Sequence, residues 1–435
     1  MNKNYKRLII IFLILFSIGS FFAHQVRAPK RNYSDFHTFY TTGKRILNHQ
    51  NIYVIKDRET SEFRYAPVFA VAMSGLALIN EGKADAIWYL INFFLLIMAL
   101  FYLKKLVTLQ EIDQKSVFIL YLVSILGVIR IAFHNLNSGQ SNILMFSCMV
   151  IGLYYISKKR ELLGAVIFAF SIMVKYTPLI FIPYFLLRKK FKLSLYIISA
   201  VSFYMLAPSL FIGFKTNLEY LKGLIPFLTN STILDQITIL SGKNQSLLSA
   251  VYRSFTPCIL YFHAPPMPFQ SWNVNSAVIK IVFAVFALIL YSLVLIPAKK
   301  INLNPRTNYT KTNAKYAIGA GVNKDTPMHY NIDYALLSIC SVLFNMNAWL
   351  HAFILLSVPY FVIVYYLIRN NFKDRTVLIL LVISYLLNLF TTQSVVGKTL
   401  MYKIYFYSPM TLSALITFIA LLKIKFSTPP SAEFR

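Results

Sequence analysis

Apolar runs separated by short basic clusters recur from one end of the chain to the other. A helix of about 20 apolar residues rises far enough to cross the roughly 30 Å hydrocarbon core of a bilayer. The pattern therefore predicts an all-α integral membrane protein, a polytopic bundle of about twelve transmembrane helices. The predicted spans cover residues 8–26, 86–103, 116–133, 142–157, 162–174, 177–187, 194–212, 274–297, 332–349, 352–368, 376–393 and 402–422.

The basic clusters predict which side of the membrane each connection occupies. Lys104–Lys105, Lys158–Arg160 and Arg188–Lys190 each follow a predicted span. Because cytoplasmic loops are enriched in lysine and arginine, we expect these clusters and both termini to be cytoplasmic. This assignment holds only if the short apolar stretch 66–80 does not cross. We therefore predict an interfacial or re-entrant helix there.

This topology makes residues 1–435 a single polytopic membrane domain. Its first extracytoplasmic segment is 27–85, which contains the interfacial or re-entrant helix. A second extracytoplasmic loop covers 213–272, and 298–330 form a basic cytoplasmic loop. The apolar run 8–23 follows basic residues, as in a signal peptide. It lacks a good cleavage site, so we predict a retained first helix.

Composition agrees with a membrane protein and excludes several other classes. The chain is 57% hydrophobic and 13% charged, unlike a soluble domain of this length. Its net charge of +28 lies in clusters at helix ends, which indicates membrane anchoring rather than nucleic-acid binding. Cys148, Cys258 and Cys340 give neither a disulfide framework nor a metal-ligand spacing. We expect no metal site and no cofactor.

Asp35 is the first candidate for chemistry. The chain has 15 acidic residues against 43 basic ones, and Asp35 follows the first predicted span among aromatic residues and His37. A carboxylate at the outer surface of a membrane protein can accept a proton or pair with a cation. We predict that Asp35 is the general base of a reaction at the membrane surface.

Lys175 is the second candidate. The uncharged run 162–174 before it rises only about 20 Å as a helix. Lys175 would then lie below the outer headgroups, where an ionisable group is costly and indicates function. A lysine there could bind the phosphate of a lipid. The alternative is a side chain that extends along the apolar surface to the interface.

Other polar residues on the predicted outer face have both a functional and a structural interpretation. His351 follows Trp349, and this pair could belong to an interfacial aromatic belt. Gln140 and Asn142 could form a simple turn and helix cap. Arg64 could anchor the interface or bind a phosphate. The remaining candidates for substrate binding are His37, Tyr65, His134, Asn244 and Gln245.

Several of these residues form short motifs in a fixed order. They are Asp35-Phe36 with Tyr40 and Gly43, Tyr65-x-Pro67, Gly139-Gln140-x-Asn142, Lys175-x-x-Pro178 with Pro183-Tyr184, Asn244-Gln245-Ser246-Leu247, and Trp349-x-His351 with Pro359. Together they resemble glycosyltransferase family 87, the polyprenol-phosphate-mannose-dependent mannosyltransferase type of the GT-C superfamily. The chain departs from that pattern at Ala66, where the family has proline, and at Ser138, where it has asparagine.

The resemblance implies a GT-C-type helical bundle in the cell (inner) membrane, with extracytoplasmic loops and interfacial helices forming the active-site cavity. It implies inverting transfer of a hexose, mannose being favoured, from a polyprenyl-phosphate-linked donor to a glycolipid or glycan acceptor. Asp35 would take the acceptor proton, and His351 would stabilise the transition state. Lys175 and Arg64 would bind the donor phosphate. The implied substrate-binding residues are His37, Tyr65, His134, Gln140, Asn142, Asn244, Gln245 and Trp349.

Two other functions remain compatible with the sequence. Twelve helices with both ends inside also describe a transporter or a flippase of lipid-linked sugars. A polysaccharide polymerase or ligase would use the same lipid phosphate with a different base. The large outer segments 27–65 and 213–272 and the absence of a visible internal repeat favour a glycosyltransferase. The sequence leaves the sugar, the acceptor and the oligomeric state open.

Overall fold

The computed structural model describes residues 19, 21–22, 24–26, 35–53, 62–108, 112–229, 239–256, 258–262, 264–269, 272–297 and 328–427. Helices dominate this part of the chain. The first helices are α1 (Asp35–Leu47), α2 (Pro67–Ala77), α3 (Glu81–Val107), α4 (Gln114–Leu126), α5 (Ile129–Asn137), α6 (Asn142–Ser157), α7 (Glu161–Val174), α8 (Phe181–Leu187), α9 (Phe191–Leu206), α10 (Ser209–Ile212) and α11 (Phe214–Thr229). Those that follow are α12 (Leu247–Phe255), α13 (Ser276–Leu295), α14 (Met328–Leu343), α15 (Ser357–Arg369), α16 (Arg375–Leu389), α17 (Gln393–Val396), α18 (Lys398–Phe406) and α19 (Pro409–Phe426).

Short non-α elements complete the described chain. The 3₁₀ helices Thr177–Ile180 and Leu350–Leu356 precede α8 and α15. Strands β1 (Cys258–Phe262) and β2 (Ala264–Phe269) pair antiparallel. The described part of the segment 213–272, predicted as a loop, therefore includes helices α11 and α12 and this hairpin.

The apolar helices identify a membrane protein, as predicted. Among the described residues, five helices are long and apolar enough to cross a bilayer, or six if the bent pair α4–α5 is one span. These five are α3, the unit Phe191–Ile212, α13, the unit Leu350–Arg369, and α19. Several shorter apolar helices accompany them. The number of about twelve spans stays a prediction.

Parts of the predicted topology lie outside the described residues. Of the span 8–26, only residues 19, 21–22 and 24–26 are described, and they are helical. Most of the basic loop 298–330 is likewise outside the described chain.

The predicted span 116–133 is not one continuous helix. The chain bends by 61° between α4 and α5. At the break, the Asn388 side chain donates to the carbonyl of Gly127, and Arg130 donates to the carbonyl of Asn388 at 2.8 Å. These bonds tie the break to α16. We did not predict the bend, because apolar residues continue on both sides of Gly127 and Arg130.

Two further predicted spans differ in extent from the observed helices. The span 402–422 is two helices, since Ser408 adopts a left-handed conformation with φ of 54° between α18 and α19. The span 332–349 ends at Leu343. Beyond it, the Asn244 side chain binds the carbonyl of Met346 and the amide of Ala348, which holds these residues outside a helix.

Helix α2 occupies the apolar stretch that we predicted not to cross. It has 11 residues and rises about 16 Å at 1.5 Å per residue. That length is well below the hydrocarbon thickness of roughly 30 Å. Its proline at the first position fits a helix start, where no amide donor is needed.

Cysteine labelling tests the placement of α2. In a cysteine-free background, an impermeant thiol reagent added from outside should label Cys at Gln50 and Lys83 and should miss Cys at Arg160. All three side chains are exposed, so accessibility depends on the side of the membrane. Labelling at position 50 without labelling at position 83 would show that α2 crosses.

Helices α6 and α7 pack in close antiparallel contact. Together they position Asn142 and Lys175 of the site described below. A Cβ atom on Gly152 would lie 2.9 Å from the carbonyl oxygen of Gly164, and one on Gly164 would lie 2.8 Å from that of Gly152. Only glycine permits this approach. Because the helices are antiparallel, the first residue of α6, Asn142, lies beside the residue after α7, Lys175.

A buried ionic cluster joins three helices at the end of α8 remote from Lys175. Asp333 of α14 accepts from Arg188 and from Lys425 of α19, both at 2.8 Å. It also accepts from the Tyr184 hydroxyl at 2.8 Å. Lys425 is fully buried and donates to the carbonyl of Val294 as well. Burial of these charges requires such pairing, which fixes α8, α14 and α19 together.

Candidate active site

Helix α1 holds Asp35 at its first position, against the turn that precedes α6. Phe36 and Phe39 are buried and pack near Trp88 of α3. The Trp88 indole donates to the carbonyl of Gly139 at 2.8 Å. Gly139 has φ of +63°, and a Cβ there would lie 2.6 Å from Cβ of Phe36. This contact places the turn directly against the start of α1.

A chain of side-chain amides connects Asp35 to Lys175. Gln140 donates to the Asp35 carboxylate. Asn142 donates to the Gln140 side-chain oxygen at 3.3 Å, and its own oxygen accepts from the Lys175 ammonium at 2.8 Å. Gln140 and Asn142 are buried, whereas Asp35 and Lys175 are half-buried. We call this chain the amide relay.

The relay places a carboxylate and an ammonium at the two ends of a rigid polar path. Burial raises the pKa of Asp35 above its ordinary value of 3.8, while the charge of Lys175 and the bond from Gln140 act in the opposite direction. A carboxylate whose pKa rises towards the working pH becomes a better general base, provided that it stays ionised.

Lys175 lies at a break in the chain rather than within a helix. It caps α7 with extended backbone, and Pro178 follows in the 3₁₀ helix. Its ammonium lies 5.9 Å from the centre of the Tyr65 ring. Tyr65 packs edge-to-face against Phe39 at 5.1 Å, so α1 and α7 meet around this aromatic ring. An ammonium held here is available to an anion.

Asn135 is a site residue that sequence reasoning missed. Its side-chain oxygen accepts from Asn142 at 3.1 Å, and its amide donates to the carbonyl of His351 at 3.0 Å. It is fully buried on α5. Asn135 therefore connects the amide relay to the segment that carries His351. An asparagine just beyond the predicted span 116–133, beside His134, was the available signal.

His351 belongs to this side of the site. Its Nδ1 atom is buried and has no hydrogen-bond partner among the described residues. The His134 ring lies 5.9 Å from its ring, and the Trp349 ring lies 6.2 Å away. The lone buried nitrogen makes His351 able to donate to or accept from a ligand, depending on its tautomer.

Arg64 and His37 each have an acidic partner outside the relay. Arg64 donates to Glu62 through two nitrogen atoms, at 2.7 and 2.9 Å. Because its charge reaches Tyr65 and Tyr176, it still contributes to the field beside Lys175. His37 binds Glu81 at 2.6 Å. Their predicted roles stay predictions.

Asn244 and Gln245 are buried in a different arrangement from the one we expected. The Asn244 side chain binds Met346 and Ala348, as described above. The Gln245 amide donates to the carbonyl of Tyr405 at 3.0 Å, and its oxygen accepts from the Met410 backbone at 3.2 Å. These bonds position backbone, so the substrate-binding role predicted for both residues stays untested.

The geometry thus combines a half-buried carboxylate, a cation and an imidazole nitrogen that has no hydrogen-bond partner among the described residues, all in a helical membrane protein. The sequence pattern of glycosyltransferase family 87 matches residues 63–298, just over half of the chain. The chain belongs to glycosyltransferase family 87. The resemblance stated from the motifs is thereby confirmed. No curated protein and no solved structure matches the chain.

The family match covers only part of the candidate site. The matched segment contains Gln140, Asn142 and Lys175 but neither Asp35 nor His351. The amide relay and Asn135 bring those two outer residues to the matched segment. Among the described residues, no group of three His, Cys, Asp or Glu side chains lies together as a metal site would require.

The pH dependence of transfer tests the amide relay. Gln140 donates to the ionised form of Asp35, so Gln140→Leu should raise the pKa of Asp35. In a plot of kcat against pH, the acid limb, where the rate falls as Asp35 is protonated, should then move to higher pH. Asn92→Leu is the control. Asn92 is also a buried amide, but it donates to the carbonyl of Trp88. An unmoved acid limb in Gln140→Leu, or an equal shift in Asn92→Leu, would contradict the relay.

Proposed function

We propose that this glycosyltransferase moves a hexose, mannose in the first instance, from a polyprenyl phosphate to an acceptor hydroxyl on the extracytoplasmic face. The observation that carries the proposal is the amide relay, which holds Asp35 and Lys175 at its two ends. A base and a phosphate-binding cation are the two groups that such a transfer requires from the protein.

The proposed reaction is one inverting displacement. The acceptor oxygen forms a bond to the anomeric carbon while the bond from that carbon to the phosphate oxygen breaks. Asp35 takes the proton of the acceptor hydroxyl. The polyprenyl phosphate leaves with the bonding electron pair, and its added negative charge falls beside Lys175. Arg64 and the buried Nδ1 atom of His351 can stabilise the same charge.

The lipid donor follows from where the cation lies. Lys175 stands at the end of the apolar helix α7, and the next residue, Tyr176, is exposed. A lipid phosphate arrives at this depth with its tail already in the bilayer. It is also already activated, so the reaction needs neither a nucleotide site nor a cofactor. The family match does not favour a transporter or flippase without catalysis.

A donor screen in proteoliposomes tests the proposal. The purified protein is offered polyprenyl-phosphate-mannose, polyprenyl-phosphate-glucose, GDP-mannose or UDP-glucose, with membrane lipid extract as acceptor and with a chelator present. We expect transfer from a polyprenyl phosphate alone, with inversion at the anomeric carbon, and no loss with the chelator. Direct use of a nucleotide sugar, retention of configuration or loss of activity on chelation would overturn the corresponding part.

A further inference from the structure

Arg130 is a half-buried cation at the break between α4 and α5. Among the described residues, no Asp or Glu side chain forms an ion pair with it. The cations Arg188 and Lys425, in contrast, share the carboxylate of Asp333. A charge inside a membrane protein is costly unless a counter-charge pairs with it. The positive charge of Arg130 is therefore left without compensation by the described chain.

The hydrogen bonds of Arg130 use only part of its guanidinium. Nη1 donates to the carbonyl of Asn388 at 2.8 Å and, at 3.5 Å, to the hydroxyl of Thr391. Nη2 donates to the hydroxyl of Tyr405 at 2.5 Å. A guanidinium has five N–H donors, so the Nε–H and one hydrogen of Nη2 have no acceptor among the described residues. Nε and Nη2 are the two nitrogen atoms through which Arg64 holds Glu62. Arg130 thus keeps donors for an anion on this edge.

Tyr405 adds a hydroxyl donor beside this edge. Its oxygen accepts from Arg130, and its own O–H has no acceptor in the described part of the chain. The Tyr405 backbone is held in place, since the buried Gln245 amide donates to its carbonyl at 3.0 Å. Two fixed donor groups with one positive charge form a preformed site for an anion, which saves the entropy cost of ordering them.

The elements around Arg130 are positively charged and lie at a membrane interface. Helices α5, α16, α17 and α18 contain no acidic residue, while α18 carries the exposed Lys398 and Lys403. The start of α16 lies beside the end of α19, since Lys423 binds Asp374 at 2.5 Å. Helices α17 and α18 follow the opposite end of α16, where Tyr407 is exposed. A short helix with exposed basic and aromatic residues is typical of the lipid headgroup region.

We propose that Arg130 and Tyr405 bind the phosphodiester of an anionic membrane lipid, such as phosphatidylglycerol. A phosphodiester carries one negative charge and two unesterified oxygens, which match one guanidinium edge and one hydroxyl donor. The lipid is neither the sugar donor nor the acceptor. Arg130 and Lys175 have no hydrogen-bond partner in common, so the two phosphate sites are separate. The bound lipid neutralises Arg130 and stabilises the break that leads into α5.

Native mass spectrometry of the purified protein in detergent tests this site without donor or acceptor. The protein is offered equal amounts of phosphatidylglycerol and phosphatidylcholine with the same acyl chains. For the most tightly bound lipid, the wild type should prefer phosphatidylglycerol by about tenfold, because charge-assisted hydrogen bonds hold the anionic headgroup. Arg130→Gln removes the charge and should abolish this preference.

Tyr405→Phe is the second variant, and it decides the matter if Arg130→Gln does not fold. It keeps the aromatic ring and leaves the bond from Arg130 to the Asn388 carbonyl in place. The loss of one hydroxyl donor should lower the preference by about threefold. Arg375→Gln is the matched control, because Arg375 is exposed at the other end of α16. Its preference should equal that of the wild type.

Four results would overturn the proposal. They are equal binding of the two lipids by the wild type, a full preference in Arg130→Gln or in Tyr405→Phe, an equal loss of preference in Arg375→Gln, and an equal loss in Lys175→Met. The last result would place the lipid at the predicted donor site instead. Inorganic phosphate in excess should not displace the bound phosphatidylglycerol. Displacement would show a site for free anions rather than for a lipid.

Discussion

Replacing Asp35 with asparagine should lower the rate of sugar transfer by about 10²–10⁴-fold, the usual cost of losing a general base. Asparagine keeps the size of the side chain and can still accept the bond from Gln140. It cannot take a proton from the acceptor. Folding should be unaffected because Asp35 is only half-buried and starts its helix. Transfer rate and yield of purified protein are the two measurements.

Asp85→Asn is the control for this variant. Asp85 is another acid in the same part of the chain. It binds His24 at 2.9 Å, and no hydrogen bond among the described residues joins it to Gln140. Its transfer rate should stay near that of the wild type. A well-folded Asp35→Asn protein with intact transfer would show that Asp35 is not the base, and the proposed mechanism would fail.

Replacing Lys175 with methionine should lower kcat/KM for the lipid donor by about 10²–10³-fold, the range for removing one group that stabilises developing negative charge. Methionine keeps the apolar stem and removes the charge. Because the charge of Lys175 also lowers the pKa of Asp35, the acid limb should move to higher pH. At pH values above the acid limb, Asp35 is ionised in both proteins. The loss of kcat/KM that remains there reports the role of Lys175 in phosphate binding alone.

Lys158→Met is the control for Lys175. Lys158 follows the other end of α6 and also lies over a tyrosine ring, 5.8 Å from the centre of Tyr154. It is exposed, so its loss should leave donor kinetics unchanged. Donor kinetics in Lys175→Met that match the wild type would instead assign Lys175 to simple extension towards the interface.

The sequence was informative where polar residues follow or precede an apolar run on the predicted outer face. Asp35, Gln140, Asn142 and Lys175 were all found in this way, and the structure connects them in one relay. Helices α6 and α7 were also predicted to within one residue at each end. Membrane helices with clear basic ends are defined by local sequence alone, which explains this agreement.

Interactions between distant segments were not predictable. The bend after α4 depends on Arg130 and Asn388, which are 258 residues apart. The backbone conformation just before Trp349 depends on Asn244, which is 104 residues from Ala348. In both places, a side chain competes with the helical backbone for hydrogen bonds. Nothing in the local apolar pattern records that competition, so the span 116–133 was predicted without its break and the span 332–349 was predicted too long.

The Arg188–Asp333–Lys425 cluster sets an order for the assembly of the bundle during translation. The ribosome makes Arg188 145 residues before Asp333, and Lys425 92 residues after it. At about 5–20 residues per second, Asp333 waits roughly 5–20 s for Lys425. The nascent bundle can therefore first join α8 to α14 and then receive α19 as its closing piece. Chains released before Lys425 would stop at the first stage, with α14 inserted but lacking its final neighbour.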